Sequence, residues 1–230
     1  MQPRPKHAVV WASINAVTTR DLFHEMQRHN YLFVPARSVY LTERFEGFPK
    51  DVRRRLRNDL RLLEGSPYTL ERVEYERGFV SLYDALYIDK YSRYNPMFKD
   101  TFMRLVGERG LLSFLALKDA QGQPVAVLGY FVRQGVMTAP VLGYDLSLGR
   151  SAGLYRQLTI RLWLEAKERG CTLHRSSGVG RFKMGRGAQR HWEYRVLHLG
   201  GVSRYRRLVL RLLRAVVARV GVPLMDQRQL

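Results

Sequence analysis

The sequence predicts an α/β (α+β) fold whose sheet is mixed, mainly antiparallel and flanked by helices. Three observations carry this. Residues 111–117, 125–132 and 136–146 are apolar runs separated by turns at Gly122 and Gly135, the pattern of an antiparallel meander. Residues 153–170 then read as an amphipathic helix closed by Gly170, and residues 171–177 as a strand. A meander entering a strand–helix–strand unit sets its last strand parallel to the strand after the helix, with a right-handed crossover expected. The order lacks the repeated strand–helix alternation of a doubly wound sheet.

The other elements follow along the chain. Residues 8–17 and 31–42 read as strands around a short helix, with Thr18 or Thr19 placed to cap it and Asp21 and Glu25 in its early turns. Pro49 opens a helix to about Glu64, in which Val52, Leu56, Leu60 and Leu63 form one apolar stripe. The rest of that helix is nearly solid arginine: Arg53, Arg54, Arg55, Arg57 and Arg61. Residues 70–75 alternate as a strand. Residues 79–94 and 98–109 read as helical, broken at Asn95-Pro96. A short helix near 180–187 and a strand over 192–199 complete the body.

The C-terminal segment is a separate element. At 100° per residue, the arginines at 204, 207, 211, 214 and 219 fall within an arc of about 140°. Val209, Leu210, Leu212, Leu213, Val216, Val217 and Val220 occupy the other side. Two outcomes are open: residues 203–220 lie on an anionic membrane surface, or the helix packs its apolar side on its own sheet. The organisation expected from sequence is therefore a strand–helix–strand segment over 1–49, a main domain over 50–200 and a basic helix over 201–230.

Charge bounds the partners. The chain carries 39 Lys+Arg against 20 Asp+Glu, a net charge of +19, which attracts nucleic acid, anionic lipid or phosphate-rich substrates. An arginine-rich solvated surface is the alternative. Hydrophobic residues make up 46% and mean hydropathy is −0.28, which argues against an integral membrane protein. Arg4 and Lys6 precede the apolar run at 8–17, but Ser13 and Asn15 interrupt it and no cleavage site follows. The expected compartment is cytoplasmic, with association at the inner membrane face through residues 203–220 as the variant. Cys171, the single cysteine, reads as a small buried core residue. His7, His24, His29, His174, His191 and His198 form no close-spaced pair, so no metal is expected. Neither a phosphate-binding Gly-x-x-x-x-Gly-Lys-Ser/Thr loop nor a Gly-x-Ser-x-Gly elbow occurs.

Two segments carry a resemblance. Leu142-Gly143-Tyr144-Asp145 leads through Leu148-Gly149-Arg150-Ser151-Ala152-Gly153-Leu154 into the 153–170 helix, and Arg150-x-x-Gly153 resembles the Arg/Gln-x-x-Gly-x-Gly/Ala signature of N-acetyltransferases. Tyr155 stands where that signature has a small residue. Phe182-Lys183-Met184-Gly185-Arg186-Gly187-Ala188 is similar to the Phe/Tyr-Lys-x-x-(Arg/Trp/Phe)-Gly-Ala segment of FemAB-like acyltransferases in the same (GNAT) superfamily. The basic helix with Arg53 and Arg57 is similar to a Lys/Arg-rich helix of that group. The resemblance covers about residues 30–199. The acidic residue often found before the Phe-Lys segment is missing, since His174, Arg175 and Ser176 stand there.

The resemblance implies a sheet whose two parallel strands splay to open a crevice. Backbone N–H groups at the following helix N-terminus would hold a donor's pyrophosphate there. Gly149, Arg150, Ser151, Ala152, Gly153 and Leu154 are the implied donor-binding residues. Lys183 is implied as the charge-stabilising group, with Arg186, Arg53 and Arg57 on the substrate. Asp145 and His174, near the ends of the splayed strands, are candidate general bases, and Tyr144 a candidate proton donor. The activity implied is acyl transfer from acetyl-CoA or another acyl-CoA to an amine. Alternatives are an aminoacyl-tRNA-dependent transferase acting on a cell-wall or lipid-linked precursor, and a non-catalytic basic module binding nucleic acid or anionic membrane. Acceptor and oligomeric state stay open.

Overall fold

The computed structural model describes residues 7–228; Arg4 and Lys6 lie outside the described residues. In chain order the strands are β1 (Val9–Ile14), β2 (Leu32–Thr42), β3 (Thr69–Val73), β4 (Ser113–Lys118), β5 (Pro124–Arg133), β6 (Val136–Tyr144), β7 (Thr172–His174) and β8 (Gln189–His198). The helices are α1 (Arg20–Arg28), α2 (Lys50–Glu64), α3 (Phe79–Asp84), α4 (Asp100–Glu108), α5 (Leu154–Glu168), α6 (Gly180–Met184), α7 (Arg204–Val216) and α8 (Val222–Arg228). Strand pairing is mixed and mainly antiparallel, with helices flanking, as the sequence predicts. Two compact units form: Glu43–His174, and the residues up to Thr42 together with those from Arg175 onward. This differs from the linear division into 1–49, 50–200 and 201–230, because β8 pairs with both β1 and β2.

The unit Glu43–His174 contains the meander. β3, β4, β5 and β6 pair antiparallel in succession, and β7 pairs parallel to β6. The Asp119 carboxylate shapes the β4–β5 turn by accepting from the Gln121 and Gln123 N–H groups. Both faces of the meander are covered, which explains its nearly continuous apolar runs. On one face Leu115, Leu117, Leu128 and Tyr130 pack with α5 and the α2 stripe of Val52, Leu56, Leu60 and Leu63. On the other, Phe114, Ala116, Val127 and Val141 pack with Phe79, Tyr83 and Met103 from α3 and α4. Cys171 is buried in the first of these clusters, as expected. Parallel pairing covers only Val136, Met137 and Thr138 against Thr172, Leu173 and His174, while β6 runs on to Tyr144. The parallel pair therefore parts beyond Thr138.

Two polar contacts hold helices in this unit. Asp59 on α2 is fully buried and meets the Arg156 guanidinium of α5 at 2.6 Å. Glu165 on α5 is 3% exposed and accepts from Arg72, Arg161, Arg169 and the Tyr130 hydroxyl. Burial alone would raise its pKa, but those four donors hold it down at about 2.

Several sequence expectations are corrected. The strand expected over 171–177 ends at His174, since Ser176 and Gly178 take positive φ and turn the chain. The helix expected over 79–94 changes after Asp84 into a π-helical stretch, Ala85–Tyr91, whose end is fixed by Ser92 N–H and Asn95 Nδ2 both donating to the Tyr87 carbonyl. Thr19 sits at the α1 N-cap without capping it. Its hydroxyl is drawn back to Asn15, accepting from the Asn15 N–H and donating to its carbonyl, so Asn15 builds the turn.

In the other unit, β8 lies between β1 and β2, antiparallel to each. Phe23 and Met26 of α1 pack on Ile14 and Val196, with Phe33 and Tyr194 against them. No residue of α7 is buried. Leu210 of its apolar side, and Val217 just beyond the helix, are half-buried against its own unit, so packing on its own sheet, one of the two outcomes open from sequence, is partial. A π-helical stretch, Val217–Gly221, joins α7 to α8.

Candidate active site

The segment singled out by its Phe-Lys motif folds as a strained loop and a short helix. Ser176, Gly178 and Val179 have φ of 56°, 77° and 44°. Left-handed backbone is costly for serine and more so for a β-branched valine, so the surrounding contacts must impose it. Two backbone bonds anchor the loop to β2: Arg175 N–H donates to the Tyr40 carbonyl and Tyr40 N–H to the Ser176 carbonyl. Gly180 opens α6, and a Cβ there would overlap the Tyr40 hydroxyl, so only glycine lets α6 approach β2 this closely.

Lys183 supplies the third anchor. It is 5% exposed, and its ammonium donates to the Arg175, Ser176 and Ser177 carbonyls, the last two at 3.3 and 2.7 Å. Those three acceptors use the three N–H bonds an ammonium has. The Tyr40 ring lies 5.5 Å from the nitrogen. Burial, then the charges of Arg175 and Arg37, pull the Lys183 pKa down to about 7. Arg186 is also buried; it donates to the Phe182 carbonyl and stacks 3.6 Å over the Phe182 ring.

Beside this segment the structure adds residues that the sequence did not single out. Arg37 of β2 meets the buried Glu193 carboxylate of β8 at 2.7 Å, and Arg190 donates to the Ser38 hydroxyl. Cross-strand register places them, Arg37 opposite Glu193 and Tyr40 opposite Arg190. Partners 156 residues apart leave no local signal in a sequence.

The remaining candidates belong to the unit Glu43–His174. Tyr144 ends β6; burial and the neighbouring Tyr91 raise its pKa, with Arg150 opposing. It stays protonated, as a proton donor must. Asp145 caps the turn that follows, accepting from both the N–H and hydroxyl of Ser147 through Oδ1. Gly149 and Arg150 are exposed, with Gly149 at φ 71°. Gly153 is the α5 N-cap at φ 61°, and a Cβ there would sit 2.6 Å from Leu62 of α2. That side of the glycine is filled by helix packing. Leu154 is buried in the core, and the Ala152 carbonyl accepts from Gln157. Ser151 is exposed. Arg53 and Arg57 project from the exposed side of α2, and His174 is half-buried at the end of β7.

Asp84, at the junction of α3 with its π-helical extension, escaped the sequence. Its Oδ1 is buried and accepts no hydrogen bond among the described residues, and burial, then Asp89, raises its pKa. A helical aspartate among tyrosines gives no pattern that marks it. Among the described residues no group of three His, Cys, Asp or Glu side chains is placed to hold a metal ion.

No family model and no curated protein matches the sequence. Solved structures match the fold. L-PGS from Bacillus licheniformis superposes with a TM-score of 0.62 at 16% identity, over 93% of this chain and 74% of that one. FemX gives 0.62 at 9% identity, over 90% and 74%. The C-terminal domain of a protein designated a lysylphosphatidylglycerol synthetase in Agrobacterium fabrum gives 0.58 at 14% identity, over 90% and 71%. The chain thus shares the fold of L-PGS and FemX.

Proposed function

We propose that this chain is an acyltransferase of the FemAB type, which moves an aminoacyl group from aminoacyl-tRNA onto an amine of a cell-wall or lipid-linked precursor. The observation that carries it is the buried Lys183 beneath the strained 175–179 loop, in the segment whose sequence resembles that group. The resemblance of residues 182–188 to FemAB-like acyltransferases and the net charge of +19 support the same donor, since tRNA is a polyanion.

In the proposed reaction the acceptor nitrogen attacks the ester carbonyl of the donor. An amide bond forms, the ester C–O bond breaks, and the amine proton leaves through a base to the departing ribose hydroxyl. Lys183 acts through the loop. With carbonyls of three successive peptides turned in to its ammonium, the trans geometry of those peptides turns their N–H groups the other way. Donors oriented in this fashion would hold the developing oxyanion.

Acyl-CoA as donor is the second reading, favoured by the Gly149–Arg150 turn ahead of α5. Leu62 packed against Gly153 weighs against it. The two separate in one experiment: the purified protein is incubated with radiolabelled aminoacyl-tRNA or acyl-CoA, and amine-bearing acceptors are scored for label. Transfer from aminoacyl-tRNA that Lys183→Met abolishes is the expected result. Label arriving only from acyl-CoA would overturn the tRNA assignment.

A further inference from the structure

We infer that the C-terminal helix docks this protein on an anionic membrane surface, lying in the plane of the interface rather than crossing it. Along Arg204–Val216 and the π-helical stretch that follows, Tyr205, Val209, Leu212, Leu213, Val216 and Val220 fall within an arc of about 100°. All six are exposed; Leu212 and Val216 are 58% and 57% accessible. An apolar stripe of this size facing outward marks an interaction surface. The helix is held to its own unit along a different line, through Leu210 and Val217, which are half-buried, and through Arg207, which donates to the Val202 and Gly200 carbonyls.

Charge selects the occupant. Arg204, Arg211 and Arg219 flank the stripe on one side and Arg206 on the other, and the sequence has no Asp or Glu between Tyr194 and Met225. A second copy seated face to face would bring arginines against arginines, which disfavours that pairing. Apolar residues beside arginines suit a layer of acyl chains under anionic headgroups. The surface continues into an open groove of about 440 Å³ whose lining includes Ala8, Val202, Tyr205, Val209 and Leu210 with Arg206 among them. No helix of the described residues is long and apolar enough to cross a membrane, so the contact is superficial.

The test is co-sedimentation of the full chain with vesicles of phosphatidylcholine alone or mixed with phosphatidylglycerol. Binding should need the anionic lipid and weaken as salt rises. The double variant Leu212→Glu, Val216→Glu should lower partitioning by at least about tenfold, because it puts charge in the apolar stripe. Both positions are exposed, and an unchanged melting temperature would show that the variant folds. As an independent readout, Leu213→Trp should shift its emission to the blue on anionic vesicles and be quenched by brominated lipid chains. Equal binding to neutral vesicles, no effect of the double variant, or an unshifted tryptophan would overturn the proposal. So would a dimer in solution that the double variant dissociates. None of these outcomes depends on which acyl donor the protein uses.

Discussion

The Lys183 ammonium donates to the Ser177 carbonyl at 2.7 Å from within a nearly closed environment, and the same nitrogen holds the Arg175 and Ser176 carbonyls. A buried cation is thus satisfied entirely by the loop it supports. Together with the two backbone bonds to Tyr40, that anchor opposes the strain of positive φ at Ser176 and Val179.

Stability should therefore depend on Lys183 and on pH. Its folded pKa, about 7, lies below the ordinary 10.5. Between those values the unfolded chain holds more protons than the folded one, so stability rises with pH across that window. Below it both states are charged, and the burial cost is present in full. Denaturant unfolding from pH 6 to 10 should show this rise in the wild type and lose it in Lys183→Met. The variant should also be less stable at neutral pH, since three carbonyls lose their donor.

Glu165 gives the opposite end of the pH scale. Its folded pKa of about 2 lies below the ordinary 4.5, so its contribution is complete above 4.5 and is lost as pH falls through 2. Glu165→Gln should cost about 3 kcal/mol at neutral pH, because Arg72, Arg161 and Arg169 lose a buried carboxylate. Urea unfolding at pH 7 and at pH 3 would measure both effects. Equal stability of wild type and variant at pH 7 would count against the network.

Gly153 and Leu62 should behave as a coupled pair. Gly153→Ala meets φ of 61°, costing about 1–2 kcal/mol, and overlaps Leu62, which adds about 1–3 kcal/mol. Leu62→Ala made in the Gly153→Ala background should recover the overlap but not the backbone strain. A double-mutant cycle of unfolding free energies resolves the two parts.

Much of the framework was legible in local pattern. The runs at 111–117, 125–132 and 136–146 became β4, β5 and β6 because contiguous apolar residues bounded by Gly and Asp turns have few other outcomes. Pro49 and Gly65 bounded α2 as expected, since each acts on its own backbone. Expectations slipped where a nearby polar side chain competed with the regular backbone pattern. Asn15 took the Thr19 hydroxyl, and Asn95 bonded to Tyr87 at the end of the π-helical stretch. Around the 175–188 segment, the resemblance pointed to Lys183 and Arg186, while Arg37 and Glu193 were out of its reach. Their significance comes from burial and cross-strand register, and no spacing encodes either.

By itself, the sequence determined the mixed sheet, the arginine-rich α2 and a C-terminal helix with basic and apolar sides. Periodicity and charge are properties of neighbours along the chain, so they survive without knowledge of the fold. Only the tertiary structure decided that most of the apolar side of α7 stays exposed, that Leu62 fills the space beside Gly153, and that the Lys183 charge is turned into a strained loop. Each depends on which surfaces meet in space, and that choice is made by the packing of the whole unit.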